Sequence, residues 1–428
     1  MKKTIICSMI AAALGGVAMA QSGTNSPYSQ YGLGVLADQS QGFNRAMCGV
    51  GQGLRYSNQV NYLNPASYSS VDSLTMLVDV GMSGQVTNFK EGGKRINANN
   101  ADFEYVTAAF RMFPGIGMSV GVLPFTNVGY NYSYSEPIAG TRTSTTNTFH
   151  GSGGLRQAYL GVGWQVLPQL SVGMNMSYLW GTYDKYISIS NSDNYVNTVT
   201  RNYSTTVNSY RIDFGAQWQQ LLQAGDVLTL GATYTPGHQL GADANMTLTS
   251  LDKTSGESKS STLTVGDAFA LPTMVGVGIA WQHGSKLTLG LDYSLQQWGK
   301  IDMPEMAGNE NAYIKKSGLL CDRHRIVVGG QWIPNPVSRR YYNRINYRFG
   351  VSYATPYVKV NGIDGPKEYT VSAGFGFPIV NGWNNRSMLN ISGQWVRSSA
   401  KELITENTFR INIGLTFNER WFMKWKVK

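Results

Sequence analysis

Charge is scarce in this chain: Asp, Glu, Lys and Arg together make up only 14% of 428 residues. Histidine and cysteine are scarcer still, with four and three residues. The histidines, His150, His238, His283 and His324, have no metal-ligand spacing to one another or to a cysteine. No Gly-x-Ser-x-Gly elbow and no phosphate-binding loop is present. These absences argue against an enzyme, a metal centre and a bound cofactor. The net charge is +10, but the basic residues are scattered rather than gathered in one patch, which argues against nucleic acid as a partner. Beyond the N-terminus no apolar run is long enough for a transmembrane helix.

The N-terminus itself reads as a secretion signal over residues 1–20. Lys2 and Lys3 form a basic start, residues 4–17 an apolar stretch, and Ala18-Met19-Ala20 a small-residue cleavage site before Gln21. Export permits a disulfide between the remaining cysteines, Cys48 and Cys321. Their wide separation does not establish one, and free thiols or a single opportunistic bridge are expected.

What the chain does have is alternation with a period of two. Leu170, Val172, Met174, Met176, Tyr178 and Trp180 alternate with Ser171, Gly173, Asn175 and Ser177. Leu287 to Leu295 and Phe409 to Phe417 repeat the pattern. Successive side chains of a strand point to opposite faces, so each segment has one greasy and one wet face. A closed sheet with lipid outside and water inside requires this of every strand. Fourteen segments can be placed between residues 72 and 420. Short turns such as Phe113-Pro114-Gly115 and Leu167-Pro168-Gln169 alternate with long polar loops such as 241–265 and 300–319. The fold class is therefore all-β: a transmembrane antiparallel β-barrel in the outer membrane, with both termini periplasmic and a short periplasmic tail over 421–428.

Aromatic residues are expected in two belts. Trp164, Trp218, Trp281, Trp332 and Phe417 sit near the short turns; Tyr130, Tyr132, Tyr134, Tyr178, Trp180, Tyr293 and Trp298 sit toward the loops. Inward positions carry Asp79, Arg211, Asp213, Asp292, Arg325, Arg348 and Arg410. Such charges should pair with each other or with whatever fills the lumen. Arg348 and Arg410 are the candidates for holding a carboxylate headgroup, since a guanidinium matches a carboxylate bidentately. Lysines and arginines in the loops suit an anionic leaflet of lipid and lipopolysaccharide, and equally a plain solvated surface.

Residues 21–71 do not alternate, yet include Phe43, Leu54, Tyr62 and Leu63. A plug folded into the lumen is expected, the alternative being a disordered periplasmic arm. The segment closes on Asn64-Pro65-Ala66, just before the first strand. In the third strand, alternation from Ile116 to Val122 meets Pro124-Phe125-Thr126-Asn127 and resumes at Val128. Proline cannot donate to the ladder and marks a bulge or break there.

With its N-terminal hatch, the Asn64-Pro65-Ala66 turn and the interrupted third strand, the chain resembles the FadL family of outer-membrane transporters. The resemblance covers the whole mature chain and implies passive transport of a hydrophobic solute such as a long-chain fatty acid. It also implies lateral exit at a kinked third strand. Barrels of this ancestry also serve as non-transporting subunits of outer-membrane secretion or assembly complexes, so other outer-membrane proteins are the alternative partners. An elongated apolar cavity reaching the third strand would favour transport; a tightly filled lumen would favour the scaffold.

Overall fold

The computed structural model describes residues 23–222, 225–307, 312–380 and 386–420. The expected signal peptide and C-terminal tail lie outside them. Fourteen strands form one closed antiparallel barrel. They are β1 (Thr75–Glu91), β2 (Lys94–Phe113), β3 in two halves (Ile116–Pro124 and Thr126–Pro137), β4 (Ser144–Gln165), β5 (Leu170–Asn191), β6 (Thr198–Leu221) and β7 (Asp226–Thr235). Then follow β8 (Met274–His283), β9 (Leu287–Gln296), β10 (Arg323–Trp332), β11 (Asn346–Ala354), β12 (Lys367–Val380), β13 (Arg386–Ser399) and β14 (Thr405–Arg420). Closure is direct: β1 pairs with β14 from Thr75↔Arg420 to Lys90↔Thr405.

The alternation sets which face meets lipid. On β5, Met174, Met176 and Tyr178 point outward, while Ser171, Asn175 and Ser177 are buried against the lumen. β4, β5 and β6 run for 22, 22 and 24 residues, well beyond the roughly 10 needed to cross a bilayer. The two polar loops contain more regular structure than their composition suggested. Ala244–Leu251 pairs with Ser258–Val265, and Met303–Met306 with Tyr313–Lys316. In the first, Ala244, Met246 and Leu248 alternate with Asn245, Thr247 and Thr249, but the series is short and its partner strand is mostly Ser, Thr and Lys; the second does not alternate.

One expectation about the belts is corrected. Tyr130, Tyr132 and Trp298 do not face lipid; Tyr130 and Trp298 are buried in an interior apolar cluster, and Tyr132 packs against it with its hydroxyl on Gln30 of the N-terminal segment. For Tyr130 the cause is a bulge in β3. Pro124 pairs with Arg156 of β4, but Val128 pairs with Gly153, so four steps on one strand match three on the other. One extra residue inverts the facing of everything after it. Val120, before the bulge, faces out; Val128 and Tyr130, after it, face in. Trp298 lies in a loop turn whose indole is folded inward beside Tyr357.

Candidate functional site

Residues 24–71 lie mostly buried, hydrogen-bonded to the inner wall along much of their length. The turn before β1 is held by its own side chains. The Asn64 Oδ1 accepts from the Ala66 N–H at 3.1 Å, and its Nδ2 donates to the Gln52 and Ala216 carbonyls. Pro65 opens the 3-10 helix Pro65–Ser70, where its missing N–H leaves no bond unmade. Ala66 is fully buried at the second helical position. Around this turn the wall is cut back. A Cβ at Gly117 would come within 1.9 Å of the Tyr68 carbonyl oxygen, and one at Gly231 within 1.8 Å of that of Gln52.

The inward charges hold this hatch and one another. Asp292 accepts from the N–H groups of Gly51 and Gln52 at 2.6 and 2.9 Å. Arg325 donates to the Cys48 carbonyl at 2.7 Å. Arg211 and Asp213 form an ion pair at 2.8 Å, and Asp79 accepts from Thr416 at 3.1 Å. Cys48 and Cys321 are both free thiols. Burial pushes the Cys48 thiol up, away from the reactive thiolate.

The strongest lock involves residues the sequence reading passed over. Arg45 is fully buried and donates to Glu104 of β2 at 3.0 Å, to Asn412 of β14 at 3.2 Å and to the Ser40 and Asp38 carbonyls. Burial works against its charge, but Glu104 and Asp38 more than offset this and keep the guanidinium protonated. Burial likewise opposes the Asp38 carboxylate, yet Arg45, Arg325 and hydrogen bonds from Ser40 hold it below the usual carboxylate range. A signal was available: Asp38, Arg45, Arg55 and Asp72 are the only charges between residues 21 and 72.

The kink opens the wall on one side. The pairing of β2 with β3 runs only from Phe113↔Ile116 to Val106↔Val122. Above it, among the described residues, Lys94–Tyr105 pairs only with β1, and Thr126–Pro137 pairs only with β4 and a short piece of the hatch. That piece is Val35–Leu36, antiparallel to Thr126 and Asn127. The hatch continues along the same edge. Gln39 donates to the Pro124 carbonyl at 2.6 Å, Ala37 donates to that of Phe125 at 3.0 Å, and the Ser29 hydroxyl bonds both main-chain groups of Gly129. Gly23 sits between Asp102 of β2 and Asn127 of β3. On the β4 side the break is covered by Phe125 N–H donating to Leu155 and by Leu155 N–H donating to the Thr126 hydroxyl.

Behind the opening lies a cavity of about 350 Å³. Its lining includes Asp38, Glu104, Arg211, Asp213, Arg325 and Arg410. Arg410 therefore faces it, with its Nε on Gln85 at 2.9 Å. Arg348 does not; it is buried elsewhere in the wall, bonded to Gln331 and Asn390. Toward the extracellular end, Leu33 of the hatch packs with Leu155, Leu179 and Val207 of the wall and with Leu240, Phe269 and Trp298 of the loops. None of these side chains is more than 6% exposed.

No curated protein sequence matches the chain. Solved structures share its fold. The monoaromatic hydrocarbon channel CymD is 14% identical, with a TM-score of 0.60 over 90% of this chain and 98% of its own. The Pseudomonas putida toluene transporter TodX is 13% identical, with a TM-score of 0.62 over 90% and 100%. A Pseudomonas aeruginosa FadL homologue is 12% identical, with a TM-score of 0.62 over 90% and 99%. The architecture expected from the resemblance to FadL transporters is thus the one found: a 14-stranded outer-membrane barrel with an N-terminal segment inside. The match that extends to the sequence itself is to the model of the BamG family, which runs over residues 1–428, and the chain belongs to that family.

Proposed function

We propose that this barrel is a non-transporting subunit of an outer-membrane assembly or secretion complex, built on a transporter fold whose interior has been closed. The observation that carries this reading is the character of the cavity. Its walls set carboxylates and guanidiniums among apolar side chains such as Leu36, Phe125 and Met274, leaving no continuous apolar surface, and the region above it is packed with buried side chains. A hydrocarbon gains about 25 cal/mol per Å² by leaving water for an apolar surface. It gains little against charged walls and would strip water from them. Outer-membrane proteins are the partners this reading implies.

One observation favours a second reading, passive transport of a hydrophobic solute with lateral exit between β2 and β3. The ladder there is one-sided above Val122, and structures with this fold include channels for monoaromatic hydrocarbons and toluene transporters. For a long-chain fatty acid, Arg410 is better placed than Arg348 to meet the carboxylate, because it faces the cavity.

Two measurements separate the readings. In cells depleted of the protein, the folded fraction of other outer-membrane barrels is followed by heat-modifiable gel mobility. In proteoliposomes, uptake of toluene and oleate is compared with that of empty vesicles. The scaffold reading expects the folded fraction to fall and uptake to stay at background. Saturable uptake with unchanged barrel biogenesis would reject it in favour of transport.

A further inference from the structure

The outward face of β14 is apolar from Phe417 through Leu415, Ile413 and Ile411 to Phe409. Eight residues at roughly 3.3 Å each, tilted about 40°, rise some 20 Å, close to the height of the apolar band of such barrels. Phe409 therefore marks the outer-leaflet edge of the hydrocarbon. Val86 of β1 and Trp395 of β13 flank it in register, and all three are exposed on the outside. One outward position further, the same strands carry Asn88, Asn407 and Arg397 side by side. The next position brings Lys90, which faces Thr405 on one side and Arg95 of β2 on the other.

Three cations thus stand within two outward positions of the aromatic edge, where lipid headgroups lie. Together with Asn88, Asn407 and Leu403 they line one shallow depression, whose rim also carries the carboxylates of Glu91 and Glu402, so the cations outnumber the acids there by three to two. Among the described residues, no carboxylate lies within 4 Å of any of the three; the nearby Glu402 pairs with Lys401 at 3.8 Å. Lys90 directly opposite Arg95 is a like-charge cross-strand pair, which costs stability unless an anion sits between them. Phosphate suits this set: it is anionic, and a guanidinium fork binds its oxygens bidentately.

We propose that Lys90, Arg95 and Arg397 form a binding site for the phosphorylated headgroup of an outer-leaflet glycolipid, whose acyl chains lie against Phe409, Val86 and Trp395. The site is on the outside of the barrel and is independent of whether the lumen transports.

The test uses the full mature chain in mild detergent, with binding read by native mass spectrometry and fluorescence titration. The ligands are phosphorylated lipid A, the same lipid dephosphorylated, and inorganic phosphate. The triple variant Lys90→Gln/Arg95→Gln/Arg397→Gln is compared with Lys286→Gln/Arg339→Gln/Arg340→Gln, which removes the same charge at the periplasmic end. Heat-modifiable mobility checks that both remain folded. The site predicts that phosphorylated lipid A binds the first variant at least about tenfold more weakly and the second unchanged. Dephosphorylated lipid should bind the parent about as weakly as phosphorylated lipid binds the first variant. Equal affinity of the first variant, equal losses in both, or equal binding of the dephosphorylated lipid would overturn the proposal. Displacement of lipid A by an equal concentration of inorganic phosphate would overturn the lipid source and assign the site to free phosphate.

Discussion

Replacing Arg45 with Met tests whether one buried ion pair keeps the hatch in place. Arg45 has a side chain only 1% exposed, and its partner Glu104 is 9% exposed. Removing one member of such a pair leaves a buried charge without its counterion, at a cost of roughly 3–5 kcal/mol. Glu104 keeps a bond from the Ser83 hydroxyl at 2.5 Å, which places the expected cost at the lower end. The reporter is native: Cys48 lies in the hatch, 1% exposed, bonded to Ser372 at 3.1 Å. With Cys321 changed to Ser, thiol labelling of the folded barrel reports hatch opening alone. If labelling follows the opening equilibrium, about 3 kcal/mol accelerates it by roughly two powers of ten. The double variant Arg45→Met/Glu104→Gln removes the stranded charge and should recover most of the protection. Labelling of Arg45→Met within threefold of the parent, or a double variant as labile as the single, would refute the reasoning.

Three further outcomes are expected. Met174→Arg should destabilise the barrel in lipid by roughly 2–4 kcal/mol, and Val172→Arg by less, because Val172 pairs with Trp164 near the periplasmic interface; equal folding free energies of the parent and Met174→Arg in vesicles would mean the facing is inverted. Asn64→Ala should cost about 1 kcal/mol of hatch stability through loss of the cap to Ala66, read as a lower urea concentration for hatch release. Asp38 is held below its unfolded value of about 3.9, so its contribution is complete above that pH and is lost as pH falls through the folded value. The urea midpoint for pepsin cutting of the hatch should thus separate parent from Asp38→Asn at pH 5; the difference should begin to shrink below about pH 3.9 and vanish only once the pH has fallen past the lowered folded value.

The barrel was legible because lipid on one side and a polar lumen on the other force a pattern with period two on each strand. Where that contrast ends, so does the signal. The Ala244–Leu251/Ser258–Val265 hairpin buries Ala244, Met246 and Val265 on one face, but its Ser- and Thr-rich remainder outweighs that short apolar series, and it read as loop. The inversion of Tyr130 was hidden for another reason. Pro124 announced an interruption, but whether it adds a residue depends on the register with β4, which one sequence does not carry. Several inward glycines are contacts for the hatch main chain, and nothing in a single strand's alternation marks which ones. Arg45 illustrates the remaining difficulty: its partners Glu104 and Asn412 are far away in sequence, and only an isolated charge in a charge-poor segment hinted at it.

The glycine contacts bear on the order in which the molecule is put together. Closing the ring brings Thr75 against Arg420, a long loop whose ends must find each other against chain entropy. A ring closed first would then have to admit the N-terminal segment end-on, past walls that meet its main chain at van der Waals distance at Gly117 and Gly231. The reverse order has no such obstacle. Residues 24–71 precede β1, and the wall strands can be laid around them as around a former, each new hairpin finding its place from contacts already present. A side chain at Gly231 would meet the Gln52 main chain in either order, so it should both slow the final closure and weaken the finished barrel.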